Sequence, residues 1–459
     1  MREPRHELAH FHLHPGRAGL DPAIIWKMRT RKWLSVIYTP SVSRFRPWLE
    51  NRIWADPATC RRAHVAHGRS PRLPSLHRHP CLGVIYLDHN ATTPVLPQVR
   101  DAMLPYLEAE WGNPSSIYQL GRAAYRAIED ARRKVAALVD AEPEQVVFTS
   151  GATEANNAAL HSAVFRDPAK RHVVTSAVEH SAVLAYCDYL ERVHGVEITR
   201  LPVNAEGALD PDDLRQAIRN YTAVVSLMWA NNETGVIWPM LELASVCTDA
   251  GVPLHTDAVQ AVGKIPVSFR NAGLDFLTLS AHKIGGPKGV GALVVRDSES
   301  FLPLIHGGKQ EAGRRGGTEN VAQIVGLGKA AEIAMNQAFQ CWGPIATLRD
   351  DFESAVMARI KGAQINGGRF ARLPNTSNLY LPGLDGDAVV TFLDQQGICI
   401  SSGSACLESA IAPSHVLLAM NGSHEQASES IRVSLGQEST VGELEQLLTA
   451  LEAFVAANV

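Results

Sequence analysis

The chain of 459 residues predicts an α/β fold, with a large domain on a mostly parallel sheet and a smaller α+β domain after it. Two observations indicate this fold. Between about residues 145 and 295, short apolar strands alternate with helical stretches. Many of these strands, such as "AVVSLMWA", are apolar on both faces, which is typical of a parallel sheet covered by helices on both sides.

The elements of the large domain can be placed in order. A short strand in "VIYLDHNATTPV" precedes a helix over Pro97–Leu107. A second helix covers about Gly121–Asp140, because apolar residues recur there every three or four positions. The strands that follow read "QVVFTS", "HVVTS", "AVVSLMWA", "PLHTD", "FLTLSA" and "GALVV". Helices "ATEANNAALHSAVF" and "SAVLAYCDYLERVHG" follow the first two strands, as a parallel sheet requires.

A second unit begins near Cys341. It reads as a helix over Ile345–Ile360, the strand "TSNLYL", a helix over Asp387–Gln396, the segment "ICISSGSAC", the strand "IRVSLG" and a helix from Thr440. We therefore predict an N-terminal extension over 1–83 and a large domain over 98–340. Residues 84–97 join 341–459 to form the small α+β domain.

Residues 1–83 differ in charge from the rest of the chain. They carry 15 Lys and Arg against 5 Asp and Glu, whereas the remainder is acidic. An arginine-rich leader is typical of an organelle presequence, and its charge alone is compatible with a nucleic-acid-binding arm. We favour a third interpretation, a disordered extension outside the folded unit that arises from a misassigned start, with Val84 as the true first residue. We therefore expect no nucleic-acid partner.

Composition also bears on the compartment. No apolar run approaches the roughly 18 residues that span a bilayer, so we expect no membrane partner. The seven cysteines are scattered without CxxC pairs, which indicates a reducing compartment with mostly free thiols. We expect a cytoplasmic protein, or an organellar one if the leader is a true presequence, and no resident metal.

Polar residues follow the predicted strands, and in parallel sheets ligands bind beyond the carboxyl ends of the strands. Gly151–Glu154 opens a helix whose N–H groups suit a phosphate, although an ordinary helix cap is the alternative. His180 is either a ring for stacking or a packed residue. Asp257, with Gln260 three residues on, ends an apolar strand, where a carboxylate is costly to bury without a cationic partner. Lys283 lies in "SAHKIGGPKG", where a solvated surface lysine is the alternative.

Together these residues supply a phosphate cradle, a flat ring, a buried acid and a lysine at one sheet edge. A phosphorylated aromatic aldehyde with a protonated ring nitrogen needs all four groups. Pyridoxal 5'-phosphate fits, because a lysine forms a Schiff base with its aldehyde and an acid keeps its pyridine nitrogen protonated.

Eight motifs stand in the order found in one known family. They are "YLDHNATTPV", "FTSGATEANN", "VEHSAV", "NNETGV", "HTDAVQAVGK", "SAHKIGGPKG", "RRGGTENV" and "SSGSAC". From about Val84 to its end, the chain resembles the cysteine desulfurases, the NifS/IscS-like branch of the class V pyridoxal-phosphate enzymes. The resemblance implies the aspartate-aminotransferase-like fold, which is fold type I of the pyridoxal-phosphate-dependent transferases.

The resemblance also implies a role for each matched residue. Lys283 corresponds to the Schiff-base lysine, Asp257 to the acid at the pyridine nitrogen, and His180 to the stacked imidazole. Gln260 corresponds to the partner of the ring hydroxyl. The residues that match the phosphate-binding set are Ala152, Thr153, Ser280 and His282.

Four further matches concern the substrate, the sulfur and the partner subunit. Asn232, beside the cofactor, and Arg432 correspond to groups that bind the substrate carboxylate. Thr318 corresponds to a threonine that reaches the phosphate of the neighbouring subunit, which implies a homodimer. Cys406 corresponds to the nucleophile that takes sulfur from L-cysteine as a persulfide and leaves L-alanine.

The surroundings of Cys406 favour the same role. Ser401–Ala405 are small residues that include a glycine, as expected of a mobile, exposed loop. The alternative, a small buried side chain, suits Cys399, Cys187 and Cys247 better. The loop resembles the long-loop group that serves iron–sulfur assembly, so an acceptor or scaffold protein is expected there, and Cys406 could ligate a cluster transiently during transfer.

Other functions stay open at this stage. A selenocysteine lyase or a class V aminotransferase would share Lys283, Asp257 and His180 without needing a nucleophile at Cys406. A scaffold that keeps the fold without chemistry is the non-enzymatic alternative. For Arg432, an ordinary salt bridge competes with carboxylate binding.

A chain that begins at Val84 is expected to convert L-cysteine as fast as the full chain, because we place residues 1–83 outside the folded unit. Steady-state kinetics of the two chains measure this. A truncated chain that does not fold would show that the extension is structural.

Overall fold

The structure is a computed structural model that describes residues 83–337, 341–402, 413–421 and 423–458. The predicted α/β fold with a mostly parallel central sheet and a smaller α+β part is confirmed. No helix within these described ranges is both long and apolar enough to cross a lipid bilayer.

The described chain begins with β1 (Ile85–Tyr86), α1 (Pro97–Glu108) and α2 (Gln119–Leu138). The predicted apolar stripe of α2 is buried, including Ile128 and Val135. This helix ends two residues before the predicted end. Asp140 has a φ of 54°, a left-handed conformation that a right-handed helix cannot continue through.

A seven-stranded sheet forms the centre of the large part. Its strands are β2 (Val146–Thr149), β3 (His172–Ser176), β4 (Glu197–Leu201), β5 (Thr222–Ser226), β6 (Leu254–Asp257), β7 (Phe276–Ser280) and β8 (Gly291–Val295). The spatial order is β2-β8-β7-β6-β5-β3-β4. Neighbours from β7 to β4 run parallel, whereas β8 is antiparallel to both β7 and β2. All strands except the edge strand β4 are buried along their whole length, as their apolar sequences predict.

Helices cover both faces of this sheet. They are α2, described above, with α3 (Ala152–Arg166), α4 (Ser181–His194), α5 (Pro211–Ala217), α6 (Met240–Ala250) and α7 (Val321–Gln337). Because side chains alternate along a strand, neighbouring valines enter different cores. Val173 and Val224 pack with α3 and α4, while Val174 and Val225 pack with α2, α6 and α7.

The remaining elements form the small part, except for two short helices, His415–Asn421 and His424–Ser428, which contribute Val416, Leu417 and Ala427 to the core of the large part. In chain order, the remaining elements are α8 (Trp342–Arg359), β9 (Gln364–Ile365), β10 (Thr376–Tyr380), α9 (Gly386–Gln395), β11 (Ile398–Cys399), β12 (Ser401–Ser402), α10 (His415–Asn421), α11 (His424–Ser428), β13 (Ser430–Ser434) and α12 (Val441–Asn458). An antiparallel sheet has the order β12-β13-β10-β9. β1 pairs in parallel with β11, and Ile85 and Leu87 join the core of this part.

Replacing Leu293 in β8 with Ala is expected to lower the free energy of unfolding by about 2–5 kcal/mol, because the fully buried side chain leaves a cavity. Leu241→Ala is the matched control. Because Leu241 is 65% exposed, this substitution should change the free energy of unfolding by less than about 0.5 kcal/mol. Denaturant unfolding of the two apoproteins measures both values. Equal losses would contradict the position of Leu293 in the core.

Candidate active site

A cavity of about 740 Å³ lies at the carboxyl ends of the parallel strands. Elements of both parts of the chain line it, because Arg432 comes from β13 and Lys283 follows β7. The predicted site residues along its wall are Ala152, Thr153, His180, Asn232, Asp257, Gln260, Ser280, His282, Lys283 and Arg432.

One predicted residue does not line this wall, and another is not among the described residues. Thr318 is exposed and does not line the cavity in the part of the chain that the structure describes. Cys406 lies outside the described residues. The roles of both residues stay predictions.

The N-terminus of α3 forms one end of the cavity. Gly151, the residue before the helix, has a φ of 153°, and a Cβ on Gly291 would come within 2.8 Å of its carbonyl carbon. The close approach of these two backbones therefore requires glycine at position 291. The N–H groups of Ala152 and Thr153 have no acceptor within the described ranges, so they are available for a phosphate.

His180 caps the next helix. Its Nδ1 accepts a hydrogen bond from the N–H of Ala182 at 3.1 Å, so the neutral ring carries its proton on Nε2. The imidazole has exposed surface at the cavity, but most of its surroundings are protein atoms. This desolvation, helped by the charges of Lys283 and His415 and opposed by that of Asp257, lowers the pKa of His180.

Asp257 ends β6 and is 7% exposed. Its Oδ2 accepts a hydrogen bond from Asn156 Nδ2 at 2.7 Å, and its Oδ1 accepts one from the N–H of Val259 at 3.0 Å. Its carboxyl group forms no ion pair with another described residue. A buried acid that faces a cavity without a cation suits a protonated ring nitrogen.

Lys283 extends from a short turn after β7 toward the N-terminal segment. Its Nζ donates hydrogen bonds to the main-chain oxygens of Asn90 and Ala91, the latter at 2.7 Å. Burial, reinforced by the charge of Arg432 and opposed by Asp88 and Asp257, lowers the pKa of Lys283 to about 8. Near neutral pH, a fraction of this amine is therefore unprotonated and nucleophilic.

Gln260 lies beside the same carbonyl. Its Nε2 donates a hydrogen bond to the oxygen of Asn90 at 3.0 Å, so this oxygen accepts from both Gln260 and Lys283. Pyridoxal 5'-phosphate carries its hydroxyl and its aldehyde on neighbouring ring carbons. The two side chains are thus close enough together to meet these two groups.

Arg432 is 2% exposed, which excludes a surface salt bridge. Its guanidinium pairs with Asp88 at 2.7 Å and also donates to Ser401 Oγ and to the main-chain oxygen of Asn232. Its Nε is buried without an acceptor among the described residues. Nη1 donates only to Asn232 among the described residues, so its second N–H is available to a carboxylate in the cavity.

Four residues of this region were not found from the sequence. Ser414 and His415 line the cavity, and they hydrogen-bond to Glu233 and to the main-chain oxygen of Glu179 respectively. Burial raises the pKa of Glu233 and raises that of Glu179 to about 8. The motif "PSHVLLAM" holds Ser414 and His415, but nothing local indicates that they reach the cavity.

Comparison with known proteins identifies the class to which this arrangement belongs. A family described as aminotransferase class-V matches residues 85–447. The chain is 49% identical over 372 residues to a cysteine desulfurase of Cereibacter sphaeroides, covering 81% of this chain and 95% of that relative. A solved NifS-like protein superposes with a TM-score of 0.76 and 34% identity, covering 82% of this chain and 100% of that one. A structure described as SspA in complex with cysteine superposes with a TM-score of 0.68 and is 35% identical in sequence. The match covers 78% of this chain and 100% of that one.

The chain therefore belongs to the class-V aminotransferase family, and within that family to the cysteine desulfurases. The resemblance inferred from the eight motifs is confirmed. Members of this family depend on pyridoxal 5'-phosphate, which confirms the predicted cofactor.

The residues present fit this cofactor. Asp257, which forms no ion pair with another described residue, suits the ring nitrogen of the cofactor. Lys283 and the neighbouring Gln260 suit its aldehyde and its hydroxyl. The free N–H groups at the start of α3 suit its phosphate.

The rate at which the apoprotein takes up pyridoxal 5'-phosphate is expected to rise with pH and to level off above about 8, because only unprotonated Lys283 attacks the aldehyde. Stopped-flow absorbance after mixing gives the rate. A free lysine side chain, whose pKa is about 10.4, serves as the comparison and should continue to gain rate through pH 9. If the uptake rate of the protein also continued to rise through pH 9, the lowered pKa of Lys283 would be contradicted.

Proposed function

We propose that this cavity converts L-cysteine to L-alanine and that the sulfur leaves on Cys406 as a persulfide. One observation carries the proposal. An amine with a lowered pKa, an acid without a cation and a buried arginine lie on one cavity wall. The relative whose title names a complex with cysteine supports the same substrate.

The bound cofactor supplies an electron sink that stabilises negative charge at the α-carbon of the substrate. Asp257 holds the proton of the ring nitrogen in place by its opposite charge. Unprotonated Lys283 accepts the α-proton at Nζ, since its pKa of about 8 suits proton transfer near neutral pH. His180, whose neutral ring carries hydrogen on Nε2, is positioned to donate a proton within the cavity.

Arg432 and Asn232 would orient the substrate by its carboxylate. The pairing of Arg432 with Asp88 fixes the guanidinium, and the second N–H of its Nη1 remains for the ligand. The main-chain oxygen of Asn232 accepts from Arg432, so the two residues are held together before substrate binds. Such preorganisation reduces the entropy that binding must remove.

Sulfur transfer needs a second thiolate. The Cys406 thiolate attacks the substrate sulfur, so an S–S bond forms while the carbon–sulfur bond breaks. The electron pair of the broken bond stays with carbon, which takes a proton and becomes the methyl group of alanine. The sulfur is oxidised and the carbon is reduced, so no outside oxidant is required.

The buried cysteines are poor candidates for this attack. Burial raises the pKa values of Cys187 and Cys247 to about 12, so their thiols stay protonated near neutral pH. Cys341 and Cys399 are partly exposed. The small residues around Cys406 and its match to the family motif favour Cys406 over all four.

Delivery of the sulfur completes the proposal. We assign the persulfide to an acceptor or scaffold protein of iron–sulfur assembly or another thiolation system, in the cytoplasm. A homodimer in which Thr318 reaches the phosphate of the other subunit would complete the cofactor site, and the exposure of Thr318 in one chain is consistent with this.

Anaerobic incubation with L-cysteine and a reductant is expected to give alanine and sulfide in equal amounts, and Cys406→Ala should abolish the sulfide. Cys341→Ala is the matched control and should retain activity, since it replaces a partly exposed cysteine that we place outside the reaction. Chromatography of alanine and a sulfide assay give both quantities. A keto acid product would indicate an aminotransferase, and full activity of Cys406→Ala would overturn the assignment of the nucleophile.

A further inference from the structure

Lys264 is a buried lysine for which the reaction described above has no use. It lies in the turn after β6 and is only 4% exposed. It pairs with no carboxylate in the part of the chain that the structure describes. The charges of Lys283 and Arg432 act on Lys264, and its own charge acts on His89. A buried cation without an acid is costly, so a lysine at this position calls for an explanation.

Two side-chain oxygens accept hydrogen bonds from Lys264. Its Nζ lies 2.6 Å from Gln260 Oε1 and 3.0 Å from Asn90 Oδ1. Burial and the charges of Lys283 and Arg432 lower the pKa of Lys264 well below its ordinary value. Whether charged or neutral, the amine has at least the two N–H donors that these two oxygens need.

The orientation of the Gln260 amide is fixed from both ends. On one side, its neighbour is the main-chain oxygen of Asn90, which can only accept, so the nitrogen of the amide must face it. On the other side, Lys264 donates to the oxygen of the amide. A flipped amide would bring two oxygens together at Asn90 and would leave Lys264 with one acceptor fewer.

Asn90 is itself held on all sides. Its Nδ2 donates to the main-chain oxygen of Asn232 and to Thr376 Oγ1, and its Oδ1 also accepts from Asn375. The Asn90 main-chain oxygen, shared by Gln260 and Lys283, therefore cannot shift without breaking several buried hydrogen bonds.

We propose that Lys264 is a positioning residue that locks the Gln260 amide so that its nitrogen stays beside Lys283. One N–H of that nitrogen goes to Asn90, and the other is left for the hydroxyl oxygen on the cofactor ring. Lys264 touches neither cofactor nor substrate in this assignment and acts through Gln260. The inference rests on the cofactor site described above.

An N–H donor stabilises the ionised form of the ring oxygen. It therefore lowers the pKa of the proton that this oxygen shares with the nitrogen of cofactor-bound Lys283. Without Lys264, the Gln260 amide loses the partner of its oxygen and can turn its nitrogen away. We expect that pKa to rise by about one unit in Lys264→Met, the size of a single hydrogen bond to a charged group.

The experiment is a pH titration of the visible absorption band of the loaded enzyme. Lys264→Met and Gln260→Ala should each raise the midpoint by about one unit, and the double variant should raise it no further. Lys329→Met is the matched control, because Lys329 is a partly exposed lysine paired with Glu332, and its midpoint should equal that of the wild type.

Several outcomes would overturn the proposal. One is that the titration midpoint of Lys264→Met equals that of the wild type. Another is that the midpoint of the double variant shifts by the sum of the two single shifts. A merely structural role would lower the melting temperature without moving the midpoint. If Lys264→Met does not fold, Lys264→Gln replaces it in the experiment. This variant keeps an N–H donor, so its midpoint should equal that of the wild type. A midpoint shift as large as that of Gln260→Ala would refute the role of Lys264.

Failure of the cofactor site itself gives a different result. The wild type would then show no visible band, and Lys283→Ala would change nothing. The band and its dependence on Lys283 are therefore measured before the Lys264 variants are compared.

Discussion

The chemistry of this protein depends on how one amine is held. Lys283 is half-buried at the cavity, and it is bound by two main-chain carbonyls rather than by a carboxylate. A carboxylate would stabilise the charged amine and raise its pKa, whereas neutral carbonyls orient it without adding charge. The two acids whose charges act on it have other partners, since Asp88 pairs with Arg432 and Asp257 with Asn156. The lysine is therefore both fixed in place and able to lose its proton.

The N-terminal segment makes this arrangement possible by joining the two parts of the chain. Its strand β1 pairs with β11 of the small part, and a few residues later Thr93 bonds to the main chain of His282. Asn90 lies between these two contacts and is bonded to residues of both parts, such as Gln260 and Thr376. The carbonyl that binds Lys283 thus belongs to the segment that connects the two cores.

The predictability of the site differs from residue to residue. Asp257 and Lys283 follow apolar strands, and the carboxyl ends of parallel strands meet at one edge, so strand pattern alone brings them together. Arg432 could be assigned only by resemblance, because an arginine in "IRVSL" is equally compatible with a salt bridge. The structure gives it both properties, a partner in Asp88 and a place on the cavity wall. Nothing in the sequence indicated the role of Asn90, because this role uses a main-chain oxygen that every residue possesses.

The sequence by itself determined the α/β fold, the family, and the order of the groups that follow each strand. Periodicity and motif spacing are local properties, so they can be read without coordinates. Only the tertiary structure decided which partners those groups have. It placed Lys264 against the amide of Gln260 and Asn90, and it lowered the pKa of Lys283, because burial and hydrogen-bond geometry depend on residues that are distant in the chain.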